Sequence, residues 1–374
     1  MRTRLKEVSG IDWFDGAVMN CRWSGPLLCD VLRSVGVASD SSVPDGSSSD
    51  DRPRPRSDLD PDPVSYINPG NKAHVAFASY QTVCQDDSYY GSSIPLARCM
   101  RPSAEIVLAL DMNGSPLTAE RGFPLRVVAP GIAGARGVKW LDRISVQAGE
   151  SPNFYQQRDY KILPPEATDA AAAEEWWGRV PAIQDMPVNS VVAVPGRGET
   201  VVRRRRRKMK SKGRMKVDDV DEKKEEEGEE EGWGVGDEYE GKVYVKGYAL
   251  PAGEDGPVVR VEVSGDGGLM WTDARLIAPF SSSYSSPSSS SSSSSPGGKK
   301  QNQDPNDDEQ QKHHTSKWAW TLWEAYVWME PGQGRKILSR ATDTAGNTQP
   351  ACPQWNFRGV AYNGYGEVDE LTVV

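Results

Sequence analysis

The sequence predicts a mixed α+β domain followed by a β-sandwich of immunoglobulin-like type. Three observations predict it. Apolar residues recur at helical spacing early in the chain, among short apolar runs that read as strands. The last third alternates with period two between turn-rich joints, with no helical stretch. Four low-complexity tracts divide the 374 residues into two ordered blocks.

The first block covers about 1–39 and 64–195. In it, "WSGPLLCDVLRSVGV" places Leu27, Leu28, Val31, Leu32 and Val35 on one helical face. Ser24 is the expected N-cap, with Pro26 in the first turn. "AEIVLALDMNGSPL" reads as a buried strand and a turn at Asn113-Gly114. "LRVVAP" and "RISVQ" read as further short strands.

The second block covers about 240–280 and 317–374. "KVYVKGY" and "VVRVEVS" alternate as half-buried strands, and "SGDGGLMW" reads as a hairpin turn centred on Asp266-Gly267-Gly268. If extended, "WAWTLWEAYVW" carries Trp318, Trp320, Leu322, Glu324, Tyr326 and Trp328 on one face. The usual distribution of aromatics makes that strand core rather than interface. "RKILSRATDTAGNTQP" ends in a turn-rich loop.

The expected division is a domain over 1–195 with a disordered insertion at about 40–63, a charged linker over 196–239, and a domain over 240–374 with a disordered serine-rich insertion at about 281–316. The linker holds a basic run at 203–216, opening "RRRRRK", and an acidic run at 218–231. Loop closure free energy grows slowly with length, so such insertions are tolerable between strands.

Composition excludes several classes. Only 37% of residues are hydrophobic, so some segments cannot be packed core. A net charge of −9 gives no overall pull toward nucleic acid, and the acidic run offsets the basic one. The five cysteines show no CxxC spacing, which argues against a zinc ribbon or a dense disulfide framework. Of three histidines, His313 and His314 are adjacent in a polar tract, so no pair of axial haem ligands is expected. No apolar run reaches membrane-span length, and the first residues lack a secretory core.

Chemistry concentrates in "ERGFPLRVVAPGIAGARGVKWLDR", residues 120–143. Its cations are Arg121, Arg126, Arg136, Lys139 and Arg143, against Glu120 and Asp142. Glycines at 122, 131, 134 and 137 permit close approach to the backbone. Cations beside accessible amides suit a phosphate or another anion. A basic surface loop between two strands accounts for the same composition.

The segment from "MNGSPLTAERGFPLRVVAPGIAGARGVKWLDRISVQ" to "YQQRDYK" resembles the molybdenum-cofactor domain of the eukaryotic sulfite oxidase family. The likeness extends upstream through "YGSSIPLARCM" to "WSGPLLCDVL". Downstream, "KGYA", "VEVSGDGGLMW", "WAWTLWEA" and "WNFRGV" resemble that family's immunoglobulin-like dimerisation domain. The resemblance implies a molybdenum-molybdopterin cofactor and oxo transfer converting sulfite to sulfate, with two electrons passed to an external acceptor such as dioxygen or a soluble cytochrome. It further implies a homodimer through the second domain. A soluble intracellular setting, the mitochondrial intermembrane space or the peroxisome would suit it. No haem, nucleic acid or membrane partner is expected.

By the resemblance, Gly137, Val138 and Lys139 line the cofactor, with Lys139 as the phosphate cation, and Arg126 matches a cofactor-binding arginine. Arg121 stands where relatives usually carry histidine, and keeps a donor and a positive charge. Tyr160 of "RDYK" matches an active-site tyrosine beside the metal. Arg358 of "WNFRGV" matches an arginine that reaches from the second domain into the substrate pocket. Nitrate reductases of this fold tend to have methionine there, so Arg358 favours sulfite over nitrate.

The chain departs from the family at its start. The metal-binding cysteine of a "CAGNRR"-like motif would precede the segment beginning "MRTRLKEVSGIDW", so no metal ligand is expected here. Cys84 of "YQTVCQDD" is not a replacement ligand, and Gln81 stands where the family has an acidic cofactor contact. Two readings follow: an enzyme impaired because its N-terminal segment is missing, or a non-catalytic truncated paralogue acting as a dimerising or cofactor-holding scaffold.

Overall fold

The computed structural model describes residues 6–9, 16, 18–37, 72–81, 83–204, 239–277 and 317–374. The tracts 40–63, 218–231 and 281–316, and the basic run beyond Arg204, lie outside the described residues.

The first block contains β1 (Trp23–Ser24), α1 (Leu28–Ser34), β2 (His74–Ser79), β3 (Tyr90–Pro95), α2 (Leu96–Cys99), β4 (Val107–Ala109), β5 (Asp111–Met112), β6 (Ser115–Pro116), β7 (Arg126–Val128), β8 (Arg143–Gln147) and α3 (Ala170–Ala173). Its strands form three small sheets, ordered β3-β2-β8, β1-β5-β6 and β4-β7. Asn113 (φ 55°) and Gly114 (φ 80°) supply the two left-handed residues of the β5–β6 hairpin, as the Asn-Gly pair predicts. The sheets and α1 close over Leu28, Leu32, Val75, Phe77, Ile94 and Val127.

Helix α1 begins later than expected. Ser24 pairs with Asp111 across β1 and β5, so its backbone is committed to a strand. Leu27 stands at the N-cap in extended conformation, without side-chain capping. Leu28 and Leu32 are buried, whereas Val35, beyond the last turn, is 72% exposed.

The second block contains β9 (Asn189–Val194), β10 (Thr200–Val201), β11 (Lys242–Leu250), β12 (Val258–Ser264), β13 (Thr272–Asp273), β14 (Arg275–Ile277), β15 (Thr321–Trp328), β16 (Gly332–Asp343) and β17 (Gly366–Val373). Two sheets, ordered β14-β15-β11-β9 and β10-β17-β16-β12-β13, enclose Val243, Val245, Val261, Trp323, Ile337 and Leu371. This is the predicted sandwich.

The boundary expected at 195/196 falls inside it. β9 pairs antiparallel with β11, and β10 pairs parallel with β17. "NSVVAV" buries Ser190 and Val192 on one face and fills the hydrogen-bonding edge that β11 would otherwise expose. Residues 189–201 therefore belong to the sandwich rather than to the first domain and the linker.

Strand β15 turns inward the face opposite the one that carries Leu322, Glu324, Tyr326 and Trp328. Trp323, Ala325 and Val327 enter the core, while Leu322 is 46% and Trp328 40% exposed. Register explains the choice. Trp323 lies opposite Gly247, where an added Cβ would come within 2.2 Å of the indole. Only glycine on β11 leaves room for that ring. On the outer face Glu324 is nevertheless buried, accepting hydrogen bonds from Arg275 and Tyr244.

Among the described residues no helix is long and apolar enough to cross a membrane. Replacing Trp323 by Ala is expected to cost about 3–5 kcal/mol. Trp328→Ala is expected to cost under about 1 kcal/mol. Chemical denaturation followed by circular dichroism checks which face is core.

Candidate active site

The two blocks meet along a polar seam. Glu254 of the second block faces Arg98 of α2, at 4.0 Å, and pairs with Arg101. Asn20 exchanges two hydrogen bonds with the Trp320 backbone, at 2.7 and 3.0 Å. Gly131 has φ +71°, and a Cβ there would sit 2.3 Å from the Gly253 carbonyl oxygen. The first glycine of "GIAGARGVKW" thus serves contact between the blocks, not approach of a ligand.

The connection between β16 and β17 runs back across this seam. The Ser9 amide donates to the Phe357 carbonyl at 2.8 Å, and Phe357 packs, as do Trp176 and Trp177, against the cluster of Leu163, Ala167 and Ala173. The next residue is Arg358. A loop of the sandwich therefore delivers a guanidinium to the first block.

Arg136 does not join the outward cations of its segment. It sits on a 3-10 turn, Gly134–Arg136, and is 0% exposed. Its Nε donates to the Ile183 carbonyl (2.9 Å), Nη1 to that of Tyr155 (3.1 Å) and Nη2 to that of Tyr160 (3.3 Å). Its guanidinium carbon lies 5.9 Å from the Tyr160 ring centroid. Such a charge is tolerable in the interior because carbonyl oxygens replace water around it. Arg143 also stands apart, donating to Ser145 Oγ at 3.0 Å.

The other three cations gather. Arg126 Nη1 donates to the Arg121 carbonyl at 3.0 Å, and the guanidinium stacks 4.8 Å from the Trp23 centroid. Lys139 Nζ donates to the Glu120 carbonyl at 2.9 Å and lies 4.7 Å from the Trp140 centroid. Gly122, at φ +105°, brings these side chains together: a Cβ there would lie 3.0 Å from Lys139 Cβ and 3.3 Å from Arg126 Cβ. Burial, then the fields of Arg126 and Arg121, pushes the Lys139 ammonium below its ordinary pKa. Burial and Arg121 do the same to Arg126. Among the described residues none of the three forms an ion pair, and Arg126 Nε is buried without a hydrogen-bond partner. A phosphate oxygen is the acceptor such a donor set suits, so these residues fit an anionic, phosphate-bearing cofactor.

The neighbouring members of the predicted site divide. Gly137 lies against the cation group, and a Cβ there would stand 3.8 Å from Arg126 Nη2 and 3.0 Å from the Val127 carbonyl oxygen. Val138 is 0% exposed and belongs to the apolar core with Val127 and Ile132. Its side chain points into that core.

Tyr160 and Arg358 form a second group with Arg136 and Asp159. Tyr160 follows the π-helical turn Tyr155–Asp159. Arg358 Nη2 forms an ion pair with Asp159, whose side chain is 13% exposed. Burial, then the Asp159 charge, pushes the Tyr160 phenol above its ordinary pKa, against opposing pulls from Arg136 and Arg358. The phenol is thus protonated near neutral pH and can donate. The two groups are joined through residues 136–139, which place Arg136 in one and Lys139 in the other.

Asp159 escaped the sequence reading, although it precedes Tyr160 in "RDYK". Trp23 did too, since a tryptophan beside a strand end carries no signal of cation stacking. Gln81 Nε2 donates to Asp142 Oδ1 at 2.8 Å. Burial and Asp87 push the Cys84 thiol up, away from the thiolate a metal would need. Among the described residues no group of three or more His, Cys, Asp or Glu could hold a metal ion.

Residues 1–155 match the oxidoreductase molybdopterin binding domain, and residues 229–370 the Mo-co oxidoreductase dimerisation domain. The class is therefore a two-domain molybdopterin oxidoreductase. The chain is 31% identical over 370 residues to sulfite oxidase of Arabidopsis thaliana, covering 98% of this chain and 71% of that protein. It belongs to the sulfite oxidase family. It is 34% identical to mitochondrial sulfite oxidase of Homo sapiens over 373 residues, 98% of this chain and 49% of that one. Nitrate reductase [NAD(P)H] of Hordeum vulgare is 28% identical, over 96% of this chain and 31% of that protein. The chain thus spans about half the length of the animal relatives it matches. Among solved structures, the sulfane dehydrogenase SoxCD from Paracoccus pantotrophus aligns with a TM-score of 0.47 at 20% identity, over 81% of this chain and 58% of that one.

Pyrophosphate is expected to raise the melting temperature by about 2–4 °C beyond chloride of equal ionic strength. Lys139→Met and Arg126→Met should each remove most of that rise. The effect should be full at neutral pH and fade as pH climbs through the lowered pKa of Lys139, because the ammonium then loses its charge. Differential scanning fluorimetry across that range is the check.

Proposed function

We propose that this chain forms the cofactor and dimerisation portion of an oxidoreductase that converts sulfite to sulfate and passes two electrons to an external acceptor. The observation that supports the reading is a group of cations suited to a phosphate, joined through residues 136–139 to a second group that holds a tyrosine and an arginine from separate blocks. In this reading Arg121, Arg126 and Lys139, with the backbone at Gly137, hold a molybdopterin phosphate. When bound, that cofactor supplies two-electron oxo-transfer chemistry.

The chain's own residues do the rest. Arg358, backed by the field of Arg136, draws a small oxyanion and presents donors to its oxygens. Tyr160, kept protonated, donates a hydrogen bond to an oxygen of the same anion. Arg358 favours sulfite over nitrate, whose reductases in this fold tend to have methionine there. The acceptor is dioxygen or a soluble cytochrome, the sandwich pairs two copies, and the setting is the intermembrane space of mitochondria, the peroxisome or another soluble intracellular site.

A cofactor-holding scaffold without turnover is the second reading. It is favoured by the Asp159 carboxylate, which already engages Arg358 in the group proposed to take the oxyanion. Molybdenum content and sulfite-dependent reduction of ferricyanide separate the two. Impaired turnover is expected, with Tyr160→Phe lowering kcat by a further factor of about 10 to 100. Arg358→Met is expected to raise KM by about tenfold or more. Bound molybdenum with no sulfite-dependent reduction would leave the scaffold standing.

A further inference from the structure

Arg358 is held in an unbalanced way. Its Nη2 pairs with the Asp159 carboxylate, while its Nε is buried and has no acceptor. The Nε–H and one terminal N–H of an arginine form a planar fork that suits two oxygens of one anion. Asp159 thus engages the guanidinium without satisfying the Nε donor. Leaving a buried donor unmet is costly, which favours any ligand that meets it.

The surroundings make exchange feasible. The Arg358 side chain is 26% exposed and that of Asp159 13%, so the pair lies at the rim of the interior rather than sealed within it. Asp159 ends the π-helical turn, one residue before Tyr160. Arg136 stays fixed beneath, with all three nitrogens on carbonyls. An entering dianion therefore meets attraction from Arg358 and Arg136 and repulsion from Asp159.

Resting on the proposed role of Arg358 in binding an oxyanion, we infer that Asp159 is the internal counter-ion of this site, which the oxyanion displaces from Arg358. Asp159 is a positioning residue in this scheme. It keeps Arg358 aimed at the site when no ligand is bound, and its repulsion sets how tightly an oxyanion binds. Weakly charged or single-oxygen anions do not displace it, because they cannot fill both donors of the fork.

Calorimetric titration of the full chain with sulfate tests this. Asp159→Asn keeps shape and removes charge, and is expected to tighten sulfate binding about tenfold. Chloride should compete poorly in the native chain and better in the variant. A second measurement needs no Asp159 variant. The Nε–H nuclear resonance of Arg358, identified by its loss in Arg358→Lys, should shift and exchange more slowly with solvent when sulfate saturates the native chain. Sulfate binding lost in Arg358→Met, yet unchanged or weakened in Asp159→Asn, would overturn the counter-ion role alone. An unmoved Nε–H at saturation would do the same. No sulfate binding by the native chain, or equal binding by Arg358→Met, would overturn the proposed role of Arg358 as well.

Discussion

A buried guanidinium organises this molecule. Arg136 has no exposure to solvent and meets three backbone carbonyls. Those carbonyls belong to Tyr155 and Tyr160, on the turn that presents the phenol, and to Ile183, six residues before β9. One side chain therefore ties three stretches of chain into one scaffold. An interior charge is costly when its partners are incomplete and tolerable when they are complete. That asymmetry makes the arrangement specific: displacing any one carbonyl leaves an unmet donor on a buried cation.

Around this centre positive charge accumulates on a protein of net charge −9. The cations are held near one another by backbone rather than by counter-charges. Gly122 and Gly137 bring Arg126 and Lys139 close, carbonyls of Arg121 and Glu120 occupy their donors, and Trp23 and Trp140 lie under their charges. The depressed ammonium of Lys139 records burial first and then the repulsion from Arg126 and Arg121. A group of this kind is most stable with an anion among it, the expected property of a phosphate cradle.

The sandwich does more than pack against the first block. It takes β9 from the chain leaving that block, and it sends the β16–β17 connection back to place Arg358 beside Asp159. The site is thereby shared between two cores. Each has its own apolar cluster, but neither alone holds both the tyrosine and the arginine.

Much of this was legible in the residues. Period-two alternation marked β11 and β12, the Asn113-Gly114 pair marked its hairpin, and ordered motifs marked the family and its arginines. These are local signals, set by backbone preference and spacing. What they could not rank were residues of like chemistry in one stretch. Arg136 and Lys139 stand three apart, yet one is buried whole and the other meets Arg126. Val138 looks like part of a binding loop and is core. Ser24 could cap a helix until a strand claimed its backbone, and "WAWTLWEAYVW" could face either way until Gly247 made room for Trp323. The sequence by itself determined the elements, the family and the stock of charges. The tertiary structure decided which side chains turn inward and which meet across the seam, because burial and pairing depend on partners hundreds of residues away.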